Sequence, residues 1–233
     1  LELQLKASRK EALKALFVYR PIAQRERIAV RLEFERLSAN EPPETARHIL
    51  RDLPAVSALM TAGLPRRRLS PGHIAYLKIA EGCDHPCTFC IIPQLRGKFR
   101  SRRFESVIRE AENLVRLRRT REITLIGQDT TFYGEDLGLR DGLAVLLEQL
   151  TQIREVDWVR FLYCYPNRIT QRLLDTIAAH PRLVKYLDCP LQHASRNVLA
   201  RMKRGSSGDA FVKLIERIRR TIPGVSLRTS FIV

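Results

Sequence analysis

The sequence predicts an α/β chain: a partial (β/α) barrel of about five βα units, preceded by a mixed N-terminal segment. Three observations carry that expectation. From residue 71 onward short apolar runs alternate with helical periodicities without a break, and strict alternation implies right-handed crossovers into a parallel sheet. The runs are almost continuously apolar, as strands are when a sheet is covered on both faces or closed into a barrel. The composition, 45% hydrophobic and 28% charged over 233 residues, belongs to a globular chain of one or two domains.

The elements follow in order. Within residues 1–70, Leu5, Leu13, Leu16 and Phe17 share one helical face that ends before Pro21. Ile28, Val30, Leu32 and Phe34 then alternate with Arg31, Glu33 and Glu35, a strand period. Pro42 and Pro43 break the chain, residues 44–50 suit a short helix, and Arg66 to Gly72 reads as a linker. The core is expected over 71–233. Its strands fall at 74–80, 122–127, 158–164, 184–189 and 227–233. Its helices fall at 104–119, 141–153, 171–179, 195–202 and 209–222. A core ending on a strand with no following helix predicts truncation.

Charge narrows the setting. Forty-one Lys and Arg against 25 Asp and Glu give a net charge of +16, of which residues 1–70 hold +6. Such a chain favours an anionic partner, nucleic acid or a ribonucleoprotein first. No apolar run reaches the ~18–20 residues that span a bilayer. Lys6, Arg9, Lys10 and Lys14 interrupt the first twenty residues, so they hold no signal-peptide core. The expectation is a cytoplasmic protein with no membrane contact.

The cysteines are more specific. Cys83, Cys87 and Cys90 are clustered as C-x3-C-x2-C, while Cys164 and Cys189 stand alone. Five cysteines so placed make a poor disulfide framework. Three thiolates on one loop after a strand suit three irons of a cubane cluster, leaving the fourth iron open. Zinc is the alternative, but it needs four ligands and no second paired motif exists; His85, Cys164 or Cys189 would have to join. Cys164 and Cys189 are expected as buried small apolar residues within strands.

Cys83 to Cys90, with Phe89 before the last cysteine, resembles the radical S-adenosylmethionine (SAM) enzymes. The stretches 76–102, 126–130, 186–193, 202–205 and 227–233 resemble more narrowly the methylthiotransferases of that superfamily. Pro190-Leu-Gln-His193 is closer to the branch acting on ribosomal protein S-twelve, the RimO type, than to the tRNA-modifying branch, which usually has Gln-Ser-Gly there.

The resemblance covers about residues 71–233. It implies a 4Fe-4S cluster on Cys83, Cys87 and Cys90, SAM on the open iron, and a 5′-deoxyadenosyl radical taking hydrogen from an aspartate β-carbon of S-twelve. It also implies a cytoplasmic electron donor and a small-ribosomal-subunit partner, with direct nucleic-acid contact compatible with the charge. A tRNA methylthiotransferase, or an inactive piece of either enzyme, is the alternative. Two departures matter. The family carries a second cluster on three N-terminal cysteines, and residues 1–82 have none; it also continues into a sixth strand and a TRAM domain. A smaller departure is Arg103, where a proline is common.

Each further candidate has two readings. Phe89 stacks near the SAM adenine or fills core. Gln128 and Asp129, just past the second strand, face the cofactor or cap the next turn. Gln192 and His193 follow the fourth strand in the same way, as site or structural residues. Arg228, on the fifth strand, binds a carboxylate as a fork or points to solvent. Tyr163 and Tyr165 flank Cys164 with side chains directed opposite to its own, and one of them is expected to face the pocket. Arg96, Lys98, Arg100, Arg102 and Arg103 form a solvated loop or a contact for an anionic surface, with internal pairing as the alternative for Arg102.

Overall fold

Burial in the first core strand alternates: Ala75 and Leu77 are buried while Tyr76 between them is exposed. In the computed structural model, which describes residues 70–233, this strand opens the α/β chain. The elements expected within 1–70 therefore lie outside the described residues, apart from the Pro71-Gly72 end of the linker. The chain runs through β1 (Ile74–Lys78), β2 (Ala80–Glu81), α1 (Ile92–Arg96), β3 (Arg100–Ser101), α2 (Phe104–Arg118) and β4 (Glu122–Ile126). After two 3-10 turns come α3 (Gly142–Thr151) and β5 (Trp158–Phe161). A third such turn leads to α4 (Gln171–Ala179), β6 (Tyr186–Asp188), α5 (Arg196–Arg201), α6 (Gly208–Thr221) and β7 (Ser226–Arg228).

The long strands are parallel, as the alternation predicts. β1 pairs with β4, β4 with β5, and β6 with β7. Val159 of β5 bridges Leu183 in parallel, and the Cys164 N–H donates to the Asp188 carbonyl at 2.9 Å, which carries the wall from β5 towards β6. The strands thus stand side by side in chain order. No pairing joins β7 to β1 among the described residues, so closure of a barrel is not seen. The two-residue strands β2 and β3 form a separate antiparallel ladder, which the sequence did not suggest.

The core lies between the strands and the helices. Leu77, Ile123, Leu125 and Leu187 are fully buried against Leu146, Leu147 and Leu150 of α3 and Leu174 and Ile177 of α4. Each such side chain contributes about 1.5–3 kcal/mol of burial. Cover is unequal on the two faces, however. Tyr76 and Trp158 are more than half exposed at 52% and 55%, where continuous apolar runs predict cover on both sides. Among the described residues no helix is long and apolar enough to cross a membrane.

Some boundaries moved for local reasons. The strand expected over 158–164 stops at Phe161, because Tyr163 takes φ +65° and turns the chain. Cys164 and Cys189 therefore sit just past strand ends rather than within strands, though both are buried as expected. Thr170 caps α4 by accepting from the Leu173 N–H at 3.2 Å, and Ser207 caps α6 by accepting from the Ala210 N–H at 3.2 Å.

Arg102 resolves one of the open readings. It is buried, and its Nη1 donates to Glu110 at 2.6 Å and to the Lys78 carbonyl at 2.9 Å. Its Nη2 donates to Ser106 Oγ at 3.0 Å, and the Tyr133 hydroxyl donates to its carbonyl at 3.0 Å. The side chain ties β1 to α2. Arg102→Met strips the buried Glu110 of this cation, and the expected cost is about 3–5 kcal/mol. A chemical denaturation curve checks it; a loss below about 1 kcal/mol would contradict the anchoring role.

Candidate functional site

A cavity past the carboxyl ends of the strands brings together Cys83, Cys87 and Cys90 with residues from four other loops. The cysteine loop leaves β2 through Gly82, whose φ of +81° turns the chain under the β2–β3 ladder. The Gly82 N–H donates to Gln128 Oε1 at 2.8 Å, and the Cys83 N–H to the Gly97 carbonyl at 3.2 Å. Asp84 Oδ1 accepts from the Phe99 N–H at 3.0 Å, and the Cys90 N–H closes a turn on the Cys87 carbonyl at 3.1 Å. On the far side Thr88 docks on the end of α5, its N–H reaching the Met202 carbonyl at 3.1 Å and its hydroxyl the Arg201 carbonyl at 3.0 Å. The three sulfurs are thus held by backbone fixed at both ends of the loop.

The cysteines are free thiols. Burial pushes the Cys83 thiol up to about 11, with Asp129 and the two neighbouring cysteines adding to the rise. Among the described residues no three His, Cys, Asp or Glu side chains are grouped as a single metal ion would need. Zinc requires four donors about one short bond length from one centre. Three thiolates around one cavity suit instead a cluster that takes one iron from each.

The sequence-derived candidates divide. Phe89, Gln128 and Gln192 all line the cavity. Gln128 also anchors the loop at Gly82, and Gln192 is turned in by a φ of +75°. Asp129 fills both of its readings: Oδ1 caps the next turn through the Thr131 N–H at 2.9 Å, and Oδ2 lies 2.6 Å from His85 Nε2. His193 is not among the lining residues; its Nδ1 accepts from the Ser195 N–H at 2.9 Å at the start of α5. Arg228 is not among them either. It pairs across the β6–β7 register with Asp188 at 3.0 Å, and its side chain is 62% exposed. Tyr163 and Tyr165 both line the cavity, where one was expected, and Cys164 between them lines it too, because the turn at Tyr163 ends the strand alternation.

Two residues, His85 and Arg204, went unrecognised as site components, and they meet on Tyr165. The His85 ring stacks on Tyr165 at 3.6 Å, and the Arg204 guanidinium lies 4.3 Å from the same ring's centroid. Arg204 Nη1 points at Cys87 Sγ, 3.5 Å away. His85 entered the sequence reading only as a fourth zinc ligand. Arg204 is one of 41 basic residues, and nothing in its spacing separates it from the solvated ones. Of the basic run that follows the cysteine loop in the chain, Arg96, Lys98 and Arg103 are exposed.

The arrangement defines a class: a parallel α/β domain with a cysteine triplet at the carboxyl ends of its strands, fitted for a cluster. Residues 77–233 match the model of the Radical SAM superfamily, and the chain belongs to that superfamily. The superfamily implies a 4Fe-4S cluster and SAM, and the donor set present here fits such a cluster, with three free thiols and a buried guanidinium beside one of them.

Two relatives share the name "Ribosomal protein uS12 methylthiotransferase RimO". The chain is 70% identical to the one from Solibacter usitatus over 171 residues, covering 72% of this chain and 37% of the relative. It is 65% identical to the one from Koribacter versatilis over 182 residues, covering 78% and 36%. The chain therefore spans little more than a third of the length of these curated relatives. Among solved structures, the radical SAM methyltransferase TsrM from Kitasatospora setae superposes with a TM-score of 0.57 at 16% identity, over 76% of this chain and 36% of that one. The cobalamin-dependent SAM radical enzyme OxsB gives 0.53 at 15%, over 67% and 23%. Likeness at that identity speaks for the fold alone.

Proposed function

We propose that this chain is the radical core of a cytoplasmic methylthiotransferase that adds a methylthio group to an aspartate of ribosomal protein S-twelve. The observation that carries the reading is the 70% and 65% identity, over 171 and 182 residues, to relatives bearing that activity in their names. Cys83, Cys87 and Cys90 would hold the cluster. Phe89, Gln128 and Gln192 line the space in which SAM would lie. Arg228, held by Asp188 at the end of β7, would stand at the margin of that space. When bound, the cluster supplies the electron that cleaves SAM; the protein's part is to orient the cofactor and keep water out. The electron comes from a cytoplasmic low-potential donor.

Gene deletion in the source organism tests the substrate. Loss of a methylthio group from S-twelve, read by peptide mass spectrometry, is the expected result. Intact S-twelve with loss of methylthio-adenosine from tRNA would move the assignment to the tRNA branch. Sulfur is a separate matter. In the resembled family a second cluster donates it, and residues 1–82 contain no cysteine to hold one. These 233 residues alone are therefore expected not to complete sulfur insertion, and methylthiolation of S-twelve by them would overturn that expectation.

The exposed cations that follow the cysteine loop in the chain suit an anionic, ribosomal surface. Changing Arg96, Lys98 and Arg103 together to alanine should weaken binding to the small subunit. Each lost phosphate contact should also take about 0.7–0.9 off the slope of log affinity against log salt. A slope unchanged by the triple substitution would remove these residues from the interface.

A further inference from the structure

We propose that Arg204 is a positioning residue for the cluster, raising its reduction potential through an N–H···S hydrogen bond to Cys87. The inference rests on the cluster of the superfamily and is independent of which substrate is methylthiolated.

Arg204 is buried, 7% exposed, yet no carboxylate pairs with it among the described residues. A buried guanidinium without an anion is costly, because it has lost its water and arginine does not shed its proton. Its contacts are otherwise neutral. Nη2 donates to the Pro190 carbonyl at 2.7 Å, the guanidinium stacks on Tyr165, and Nε has no partner. Nη1 is aimed at Cys87 Sγ. The anion that this geometry suits is therefore a cluster-bound thiolate.

The surroundings fix that aim. The Tyr165 hydroxyl donates to the Arg204 carbonyl at 2.9 Å, so one tyrosine holds both the backbone and the side chain of the arginine. His85, itself 2.6 Å from Asp129, stacks on the same ring. The Pro190 carbonyl occupies the other arm of the guanidinium fork. Lysine has a single ammonium and cannot serve both Pro190 and Cys87 in this way.

Reduction adds one electron to the cluster, and no bond or proton changes at Arg204. A fixed cation and a hydrogen bond to a ligating sulfur favour the more negative, reduced form, so the potential rises. The test is a potentiometric titration of the reconstituted 233-residue chain, with dithionite as the one-electron reductant, read by electron paramagnetic resonance. Arg204→Met should shift the midpoint to more negative values. Arg204→Lys, which keeps the charge and loses the fork, should shift it less in the same direction. A purely structural arginine would lower the melting temperature and the iron content but leave the midpoint of assembled clusters where it was. A midpoint equal to the parent's in Arg204→Met overturns the proposal; where that variant assembles too little cluster to titrate, an unchanged midpoint in Arg204→Lys does so.

Discussion

Alanine at Cys83, Cys87 or Cys90 is expected to lower bound iron and sulfide steeply and to bring SAM cleavage down to the rate without protein. The reason is geometric. Each sulfur is presented by its own stretch of a loop pinned at Gly82, Cys83 and Thr88, so no neighbour can swing into a vacated position. The other two cysteines are poor substitutes. Both are buried among the core side chains, Cys189 outside the cavity lining and Cys164 in the turn after β5 rather than on the cysteine loop. Cys189→Ala should accordingly leave the iron content unchanged. Anaerobic reconstitution followed by iron and sulfide assay reads both arms. SAM cleavage surviving in a Cys83, Cys87, Cys90 triple variant would defeat the assignment.

The second large effect is expected at Gly82→Ala. A Cβ there would lie 2.2 Å from the Lys98 carbonyl oxygen and 2.6 Å from that of Gly97, on a backbone with φ +81°. The conformation alone costs an L-residue about 1–2 kcal/mol. The collision adds to it, because the atoms met are backbone carbonyls of the segment leading into β3 and not the flexible end of a side chain. Relief would require β2 and β3 to separate, breaking the Cys83 N–H bond to Gly97 and carrying the first cysteine with it. The expected loss is about 3 kcal/mol or more, together with a drop in cluster loading. Gly138→Ala is the control. Gly138 also has positive φ, but a Cβ there meets nothing within 4 Å, so only the conformational part should appear. Equal losses at the two positions in denaturant titrations would refute the steric argument.

Legibility differed from element to element. α4 was readable to the residue, because its apolar period, its Thr170 cap and its end all lie within one short stretch of chain. The strand expected over 158–164 was read too long, because nothing in Leu-Tyr-Cys-Tyr announces a left-handed turn at Tyr163. The site shows the same division. Spacing exposed the cysteine triplet, since its three ligands share one loop. Gln128 and Gln192 were visible as residues following strands. His85 and Arg204 were not, because their stack on Tyr165 joins the cysteine loop, the turn after β5 and the segment after α5.

The sequence by itself therefore determined the parallel α/β class, the cysteine triplet and the superfamily, since hydrophobic period and ligand spacing are local properties of the chain. Only the tertiary structure decided that Arg102 is a buried anchor while Arg96, Lys98 and Arg103 remain exposed, and that Arg204 is aimed at a cysteine sulfur. Arginines look alike in a basic sequence. What separates them is burial and the partner each one meets, and both come from residues far away along the chain: Arg204 reaches a sulfur 117 positions distant.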